Sequence, residues 1–290
     1  MAAEGASVVR RQLGGCNRSA RAEKIWKMDW AFVAEDADAY QDLPRSVERD
    51  ARPEVVLIHG PTGDAWSNLA TRIRFGHSDL AGRVETVREW FAGRSVEAFR
   101  WLVGSSATPP NLVAGLLELG ASLDESEPEL TAMVLDHAPP RVAGVPVREV
   151  KSHSDFAHVE RIRRAVFADG STATSEELDG GWSDLSGSEG SRMYLAEIGG
   201  RPVAYGVMRR TDRGPWLLAG GVTLPEARGH GAYRALVRER WDAAQAMGAP
   251  ALVTQAQAAS RPILERLGFE PHGRIVVLVD YESNPKPRRG

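Results

Sequence analysis

The 290-residue sequence contains a single cysteine, Cys16. That excludes a disulfide framework within the chain and a cysteine zinc cluster. No apolar run approaches the roughly 20 residues that a membrane span needs. The early "GASVV" is too short for a signal-peptide core. The expectation is a cytoplasmic protein with no membrane partner. A basic surplus is missing too: 36 Lys and Arg stand against 39 Asp and Glu, a net charge of −3. A general nucleic-acid binder is therefore not expected. His153 and His158 have no companion carboxylate cluster, so no metal site is read. What is present is a 42% hydrophobic, 26% charged composition, ordinary for a globular protein. The length suits one large domain or two of common size.

Residues 1–29, which carry Cys16, are small, polar and basic without periodicity, and read as a tail. Two units are expected after it, 30–139 and 146–284, joined through the proline-rich "HAPPRVAGVPV" (137–147). In the first unit "EVVLIHG" reads as a strand, and "AGRVETVREWFAG" as a helix with Val84, Val87, Trp90 and Phe91 on one face. "VEAFRWLVG" and "ELTAMVLD" are strands around the short helix "NLVAGLLELG". "HGPTGD" (59–64) hints at a phosphate loop but lacks the lysine, and reads as a turn.

In the second unit "SDFAHVERIRRAVF" is a helix and "RMYLAEIGGRPVAYGVMRRT" a hairpin around Gly199-Gly200. Between them, residues 168–191 read as a long polar loop, a candidate lid anchored by Trp182. "GAYRALVRERWDAAQAMG" is a helix whose Tyr233, Val237, Trp241 and Ala244 face the core. "ALVTQAQ", "SRPILERLG" and "RIVVLVD" follow as strand, helix and strand, and the basic "NPKPRRG" as a tail. Both units contain the order helix, strand, short helix ending in Leu-Gly, strand, which suggests an internal duplication.

The strand "LLAGGVT" runs through Pro225 into Arg228-Gly229-His230-Gly231 and then a helix. A helix start offers free N–H groups and the positive end of the dipole. Glycines let the backbone close around a phosphate. The order is right for an anion site. It is neither a P-loop nor a dinucleotide fingerprint, since Gly-Lys-Ser/Thr is missing and the preceding strands read as hairpins.

"GGVTLPEARGHGAYRALV", followed by "ALVTQAQAASRPILERLGFEPHG", resembles the GNAT acetyltransferases, with Arg228, Gly231 and Leu267-Gly268-Phe269 in the signature places. The resemblance covers about 146–284. It implies an α/β fold with a mixed, mostly antiparallel sheet flanked by helices, and two GNAT-like halves, of which the N-terminal is degenerate. It also implies acetyl-CoA as cosubstrate, lying along Gly221, Val222 and Thr223. The N–H of about Val222 would polarise the thioester carbonyl. The amides of Arg228, Gly229, His230, Gly231, Ala232 and Tyr233 would take the pyrophosphate.

Two residues depart from the pattern. Tyr233 stands where Gly or Ala is usual. Leu264 stands where many GNAT enzymes carry the tyrosine that protonates the leaving thiolate. Ser260, one turn earlier, is the catalytic candidate for that role, against a plain helix N-cap. Glu176, Glu177 and Asp179 are candidates for the base or for contacts to a cationic acceptor, and Glu197 is a candidate base. The function expected is acetyl transfer to a primary amine, of a small molecule. The alternatives are an acetyl-CoA-binding regulatory protein, or a protein or peptide N-acetyltransferase.

Overall fold

The computed structural model describes residues 30–61, 65–167 and 171–281. The N-terminal tail with Cys16, the end of "HGPTGD" and the basic C-terminal tail lie outside them. The chain runs through helix α1 (Ala37–Tyr40), strands β1 (Glu48–Ala51), β2 (Val56–His59) and β3 (Asn68–Thr71), helix α2 (Leu80–Ala92), β4 (Ala98–Gly104) and α3 (Leu112–Glu118). The short β5 (Ser122–Leu123) and then β6 (Glu129–Leu135) complete the first half. The second half is β7 (Val147–Glu149), α4 (His153–Phe167), α5 (Ser175–Ser186), β8 (Ser191–Ile198), β9 (Arg201–Arg210), β10 (Trp216–Thr223), α6 (Ala232–Ala246), β11 (Leu252–Ala256), α7 (Arg261–Arg266) and β12 (Glu270–Tyr281).

Among the described residues all strands join one twelve-stranded sheet, ordered β1-β2-β3-β4-β12-β6-β11-β10-β9-β8-β7, with β5 paired to β12. Only β3–β4 and β10–β11 are parallel. The two halves repeat each other: β1-β2-β3-α2-β4-α3-β6 corresponds to β8-β9-β10-α6-β11-α7-β12. The sequence order did not reveal where the repeats meet. Each half gives its last strand to the other, so that β12 pairs with β4, β6 pairs with β11, and β6 and β12 pair with each other.

Alternation along β6 explains why it can sit there. Met133 and Leu135 enter the core under α6 and α7, while Leu130, Ala132 and Val134 enter the core under α1. On β12, Ile275 and Val277 share the α1 core and Leu278 joins the core under α2 and α3. The segment around α1 crosses strands of both halves and is stitched to the second by Asp42 N–H to Arg210 O (2.8 Å) and Asp212 N–H to Tyr40 O (3.0 Å).

Local chemistry accounts for the other elements. Gly199 and Gly200 both have positive φ, +58° and +75°, as a two-residue hairpin turn between Ile198 and Arg201 requires. The polar stretch expected to be a loop contains α5. Its start is a capping box: Thr174 Oγ1 accepts from the Glu177 N–H, and the Glu177 carboxylate accepts from the Thr174 N–H at 2.7 Å. Trp182 is partly buried against the α4 core. Among the described residues no helix is long and apolar enough to cross a membrane.

The exchanged strand β12 is pinned in the first half by a buried charge. Asp280 is fully buried, accepts from Arg88 Nε at 3.0 Å, and accepts from Trp101 Nε1 at 3.1 Å. Asp280→Ala leaves a cation and an indole N–H without this acceptor. It is expected to lower the unfolding free energy by about 3–5 kcal/mol, read from urea transitions. A loss below about 1 kcal/mol, the size of a surface pair, would show that this cluster does not secure the strand.

Candidate active site

Strands β10 and β11 are in parallel register only at Trp216↔Leu252 and Leu217↔Val253. A bulge between Leu218 and Gly220 then turns β10 away. Ala219, Gly220 and Gly221 are exposed, although Leu218 before them and Val222 after them are buried. The result is a gap in the middle of a broad sheet, with one edge of β10 open. The other edge stays paired to β9 through Thr223↔Ala204, and Leu224 N–H donates to Val203 O at 2.9 Å. Neighbouring residues of a strand direct their N–H groups to opposite sides. The Val222 N–H therefore turns toward β9, and those of Gly221 and Thr223 turn into the gap.

Two contacts shape this edge from below. A Cβ on Gly221 would lie 2.8 Å from Tyr233 Cε2. Gly221 and Tyr233 are thus complementary in size: the ring that replaces a small residue on α6 occupies the space that glycine leaves on β10. Burial raises the Tyr233 phenol above its ordinary pKa and pushes Tyr194 up to about 12, so both stay neutral near pH 7. The second contact is Arg240, 1% exposed on the core side of α6. Its Nη1 donates to Val207 O and to Gly220 O, both at 2.9 Å, and its Nε donates to Leu236 O at 3.0 Å. Gly206 makes room, since a Cβ there would lie 2.7 Å from Arg240 Cζ. Burial pulls the Arg240 pKa down, but an arginine keeps its charge in such settings.

Beyond β10 the chain makes one 3-10 turn, Pro225–Ala227, and reaches Gly229 (φ +81°) and Gly231 (φ +89°). Only glycine adopts such angles without strain. The Arg228 N–H is committed to Pro225 O at 3.2 Å, so the set of amides expected to be free begins after it. The first bond of α6 runs from Ala235 N–H to Gly231 O, and no side chain caps the helix. The N–H groups of Ala232 and Tyr233 thus have no acceptor within the helix. Arg228 and Arg234 are exposed beside them. His230 is exposed, and its Nδ1 donates to Arg228 O at 2.9 Å.

Other expected residues are drawn elsewhere. The Ser260 hydroxyl donates to Gln257 O at 3.1 Å, and no hydrogen bond of its side chain reaches β10 or the glycine turn. Leu264 is a buried residue of the core under α6 and α7. Glu177 pairs with Arg164, Asp179 lies 2.9 Å from His153 Nε2, and Glu197 pairs with Arg148. Among the described residues no three His, Cys, Asp or Glu side chains are grouped to hold a metal.

The first half repeats this geometry in closed form. Its parallel register is equally short, Leu69↔Arg100 and Ala70↔Trp101. There the gap is filled by the chain itself: Thr108 N–H donates to Ile73 O at 3.2 Å, and Phe75 N–H to Thr108 O at 3.1 Å. The helix start is also occupied, because Asp79 caps α2 by accepting from the Gly82 N–H at 3.1 Å. A carboxylate there repels the anion that an uncapped start attracts.

The fit between Gly221 and Tyr233 has a direct test. Gly221→Val alone is expected to clash and destabilise, Tyr233→Ala alone to leave a cavity, and the double variant to recover part of both losses. A coupling of at least about 1 kcal/mol is expected from a double-mutant cycle of urea unfolding. Simple additivity would show that the two positions do not share that space.

Comparison with known proteins follows the same division of the chain. Residues 157–269 match the model of the Acetyltransferase (GNAT) family. No curated protein matches the sequence. A GCN5-related N-acetyltransferase from Kribbella flavida is similar in fold, with 19% identity over 92% of this chain and 96% of that one and a TM-score of 0.58. A tandem GNAT protein from the clavulanic acid biosynthesis pathway has 16% identity over 92% and 97% and a TM-score of 0.59. A GCN5-related N-acetyltransferase from Sphaerobacter thermophilus has 17% identity over 82% and 83% and a TM-score of 0.56. The matched segment, residues 157–269, contains the open β10 edge, the glycine turn and the Leu-Gly-Phe end of α7, and the chain as a whole shares its fold, two GNAT-like halves on one sheet, with these solved proteins.

Proposed function

We propose that the protein is a cytoplasmic enzyme that transfers an acetyl group from acetyl-CoA to a primary amine of a small molecule. The observation that carries this reading is the open edge of β10 leading straight into an uncapped helix start. The residues fit the cosubstrate. The N–H groups of Gly221 and Thr223 offer an unpaired strand edge to an amide-bearing pantetheine arm. Gly229 to Tyr233 offer left-handed glycines and free amides to a pyrophosphate. Arg228 and Arg234 add positive charge. The closed gap and the Asp79 cap support a walling role for the first half.

Acetyl-CoA supplies an activated acyl carbon. The amine forms a C–N bond to that carbon as the C–S bond breaks. The nitrogen loses a proton and the departing thiolate gains one. The chain aids this at the carbonyl oxygen, where negative charge develops. The register favours the Gly221 N–H as the donor there over that of Val222. Ser260 remains the candidate proton donor to the thiolate, a role in which its hydroxyl leaves the Gln257 carbonyl. A regulatory protein that binds acetyl-CoA without turnover is the second reading, favoured by the burial of Leu264 where an acid is usual.

Two measurements test the proposal. Thiol release across a panel of small primary amines is expected, and its absence with intact acetyl-CoA binding would favour the regulatory reading. Gly229→Asp is expected to weaken acetyl-CoA binding at least tenfold by calorimetry, since Asp is less strained at positive φ than most side chains and its carboxylate repels phosphate. Gly199→Asp, at a similar φ in the distant hairpin turn, should leave binding unchanged. Unaltered affinity in Gly229→Asp would remove the phosphate from this turn.

A further inference from the structure

The Arg240 guanidinium is a cation in the protein core whose third nitrogen, Nη2, has no hydrogen-bond partner. Among the described residues no carboxylate lies within 4.0 Å of it. The groups that face it are the neutral phenols Tyr233 from α6 and Tyr194 from β8, together with the backbone of β9 and β10. Its charge is therefore not cancelled locally, and a low-dielectric surrounding transmits it far better than water would.

The peptide group between Gly220 and Gly221 carries the consequence. In a trans peptide the C=O of one residue and the N–H of the next point in opposite directions. The Gly220 carbonyl points toward β9, where it accepts from Arg240 Nη1 at 2.9 Å. The N–H of the same peptide, that of Gly221, therefore points into the gap. A cation on the carbonyl draws electron density through the amide resonance and makes the N–H a stronger donor. The same Nη1 also holds Val207 O at 2.9 Å, so one group both keeps the bulge open and charges the peptide at its rim.

We infer that Arg240 is a positioning residue for acetyl transfer: through the Gly220–Gly221 peptide it strengthens the donor that receives the thioester oxygen. Helical spacing places Arg240 on the apolar face, seven residues after Tyr233 and three after Val237, but an arginine there ordinarily reads as reaching solvent with its charged end. The inference rests on the proposed seating of acetyl-CoA along β10.

The test compares Arg240→Gln, which retains hydrogen-bond donors without charge, with Arg240→Lys, which retains the charge. The readout is the infrared carbonyl band of [1-13C]acetyl-CoA bound to each protein without acceptor, alongside kcat and the KM for acetyl-CoA. In the unmodified protein the bound band should lie below that of free acetyl-CoA. Arg240→Gln should return it most of the way to the free position and lower kcat about tenfold, less than the loss of a whole oxyanion donor, with KM changed less than about threefold. Arg240→Lys should keep most of the band shift and most of kcat. Equal behaviour of the two variants would mean that Arg240 only shapes the bulge, and would overturn the inference while leaving β10 as the seat. A bound band at the free position in the unmodified protein would overturn it with no variant needed. Failure of acetyl-CoA to bind the unmodified protein would remove the seating itself, and the inference with it.

Discussion

Pairing of β6 with β12 is the contact on which the rest of the molecule depends. Each strand fills a place in the half of the chain that does not encode it, and their mutual ladder runs from Glu270↔Val134 to Val276↔Glu129. The side chains of β6 and β12 alternate between cores on opposite faces of the sheet, so the cores under α1, under α2 and α3, and under α6 and α7 each draw on both halves, while the core under α4 is the second half's own. The energy of burial is collective here. Removing either strand would expose two apolar surfaces at once.

Duplicated halves with opposite fates show what an open gap needs. Both contain two parallel strands that hold register for two residues and then part. In the first half, Thr108, beyond β4, bonds across the opening to Ile73 and Phe75, beyond β3, and Asp79 caps the helix start. In the second, the exposed Ala219–Gly221 edge and the uncapped α6 keep their donors free. A gap of this kind tends to close, since an unpaired strand edge is a ready template for another segment of chain. What keeps it open is a specific support: the bulge, with Arg240 bridging the two carbonyls that the bulge brings together.

Features encoded locally were legible in the sequence, and features made by distant pairing were not. The Gly199-Gly200 hairpin, the Arg-Gly-x-Gly turn and the apolar face of α6 follow from residue type and spacing within a few positions. The exchange of β6 and β12 does not, because either apolar strand would satisfy either half by pattern alone. Helix α5 was written in the sequence as Thr-x-x-Glu, but its glycines and serines obscured it. Tyr233 looked out of place only because its counterpart, Gly221, lies twelve residues away on another element. The burial of Arg240 depends on Gly206 and on a backbone irregularity, neither of which has a signature on α6. The Arg228 amide, grouped with the free donors by its place in the motif, is withdrawn by a turn that Pro225 begins.

Strand exchange also says something about how the chain comes to exist. While it is being made, β4 must wait for residues 270–281 before its open side finds a neighbour. The first half cannot mature ahead of the second, and the order of synthesis gives it no head start. Seen as an assembly, the arrangement is that of a two-fold dimer whose protomers trade their final strands, with segment 137–147 turning the trade into an intramolecular one. Once joined, the protomers no longer had to be equal. One gap could seal while the other stayed open, with no loss of the shared sheet.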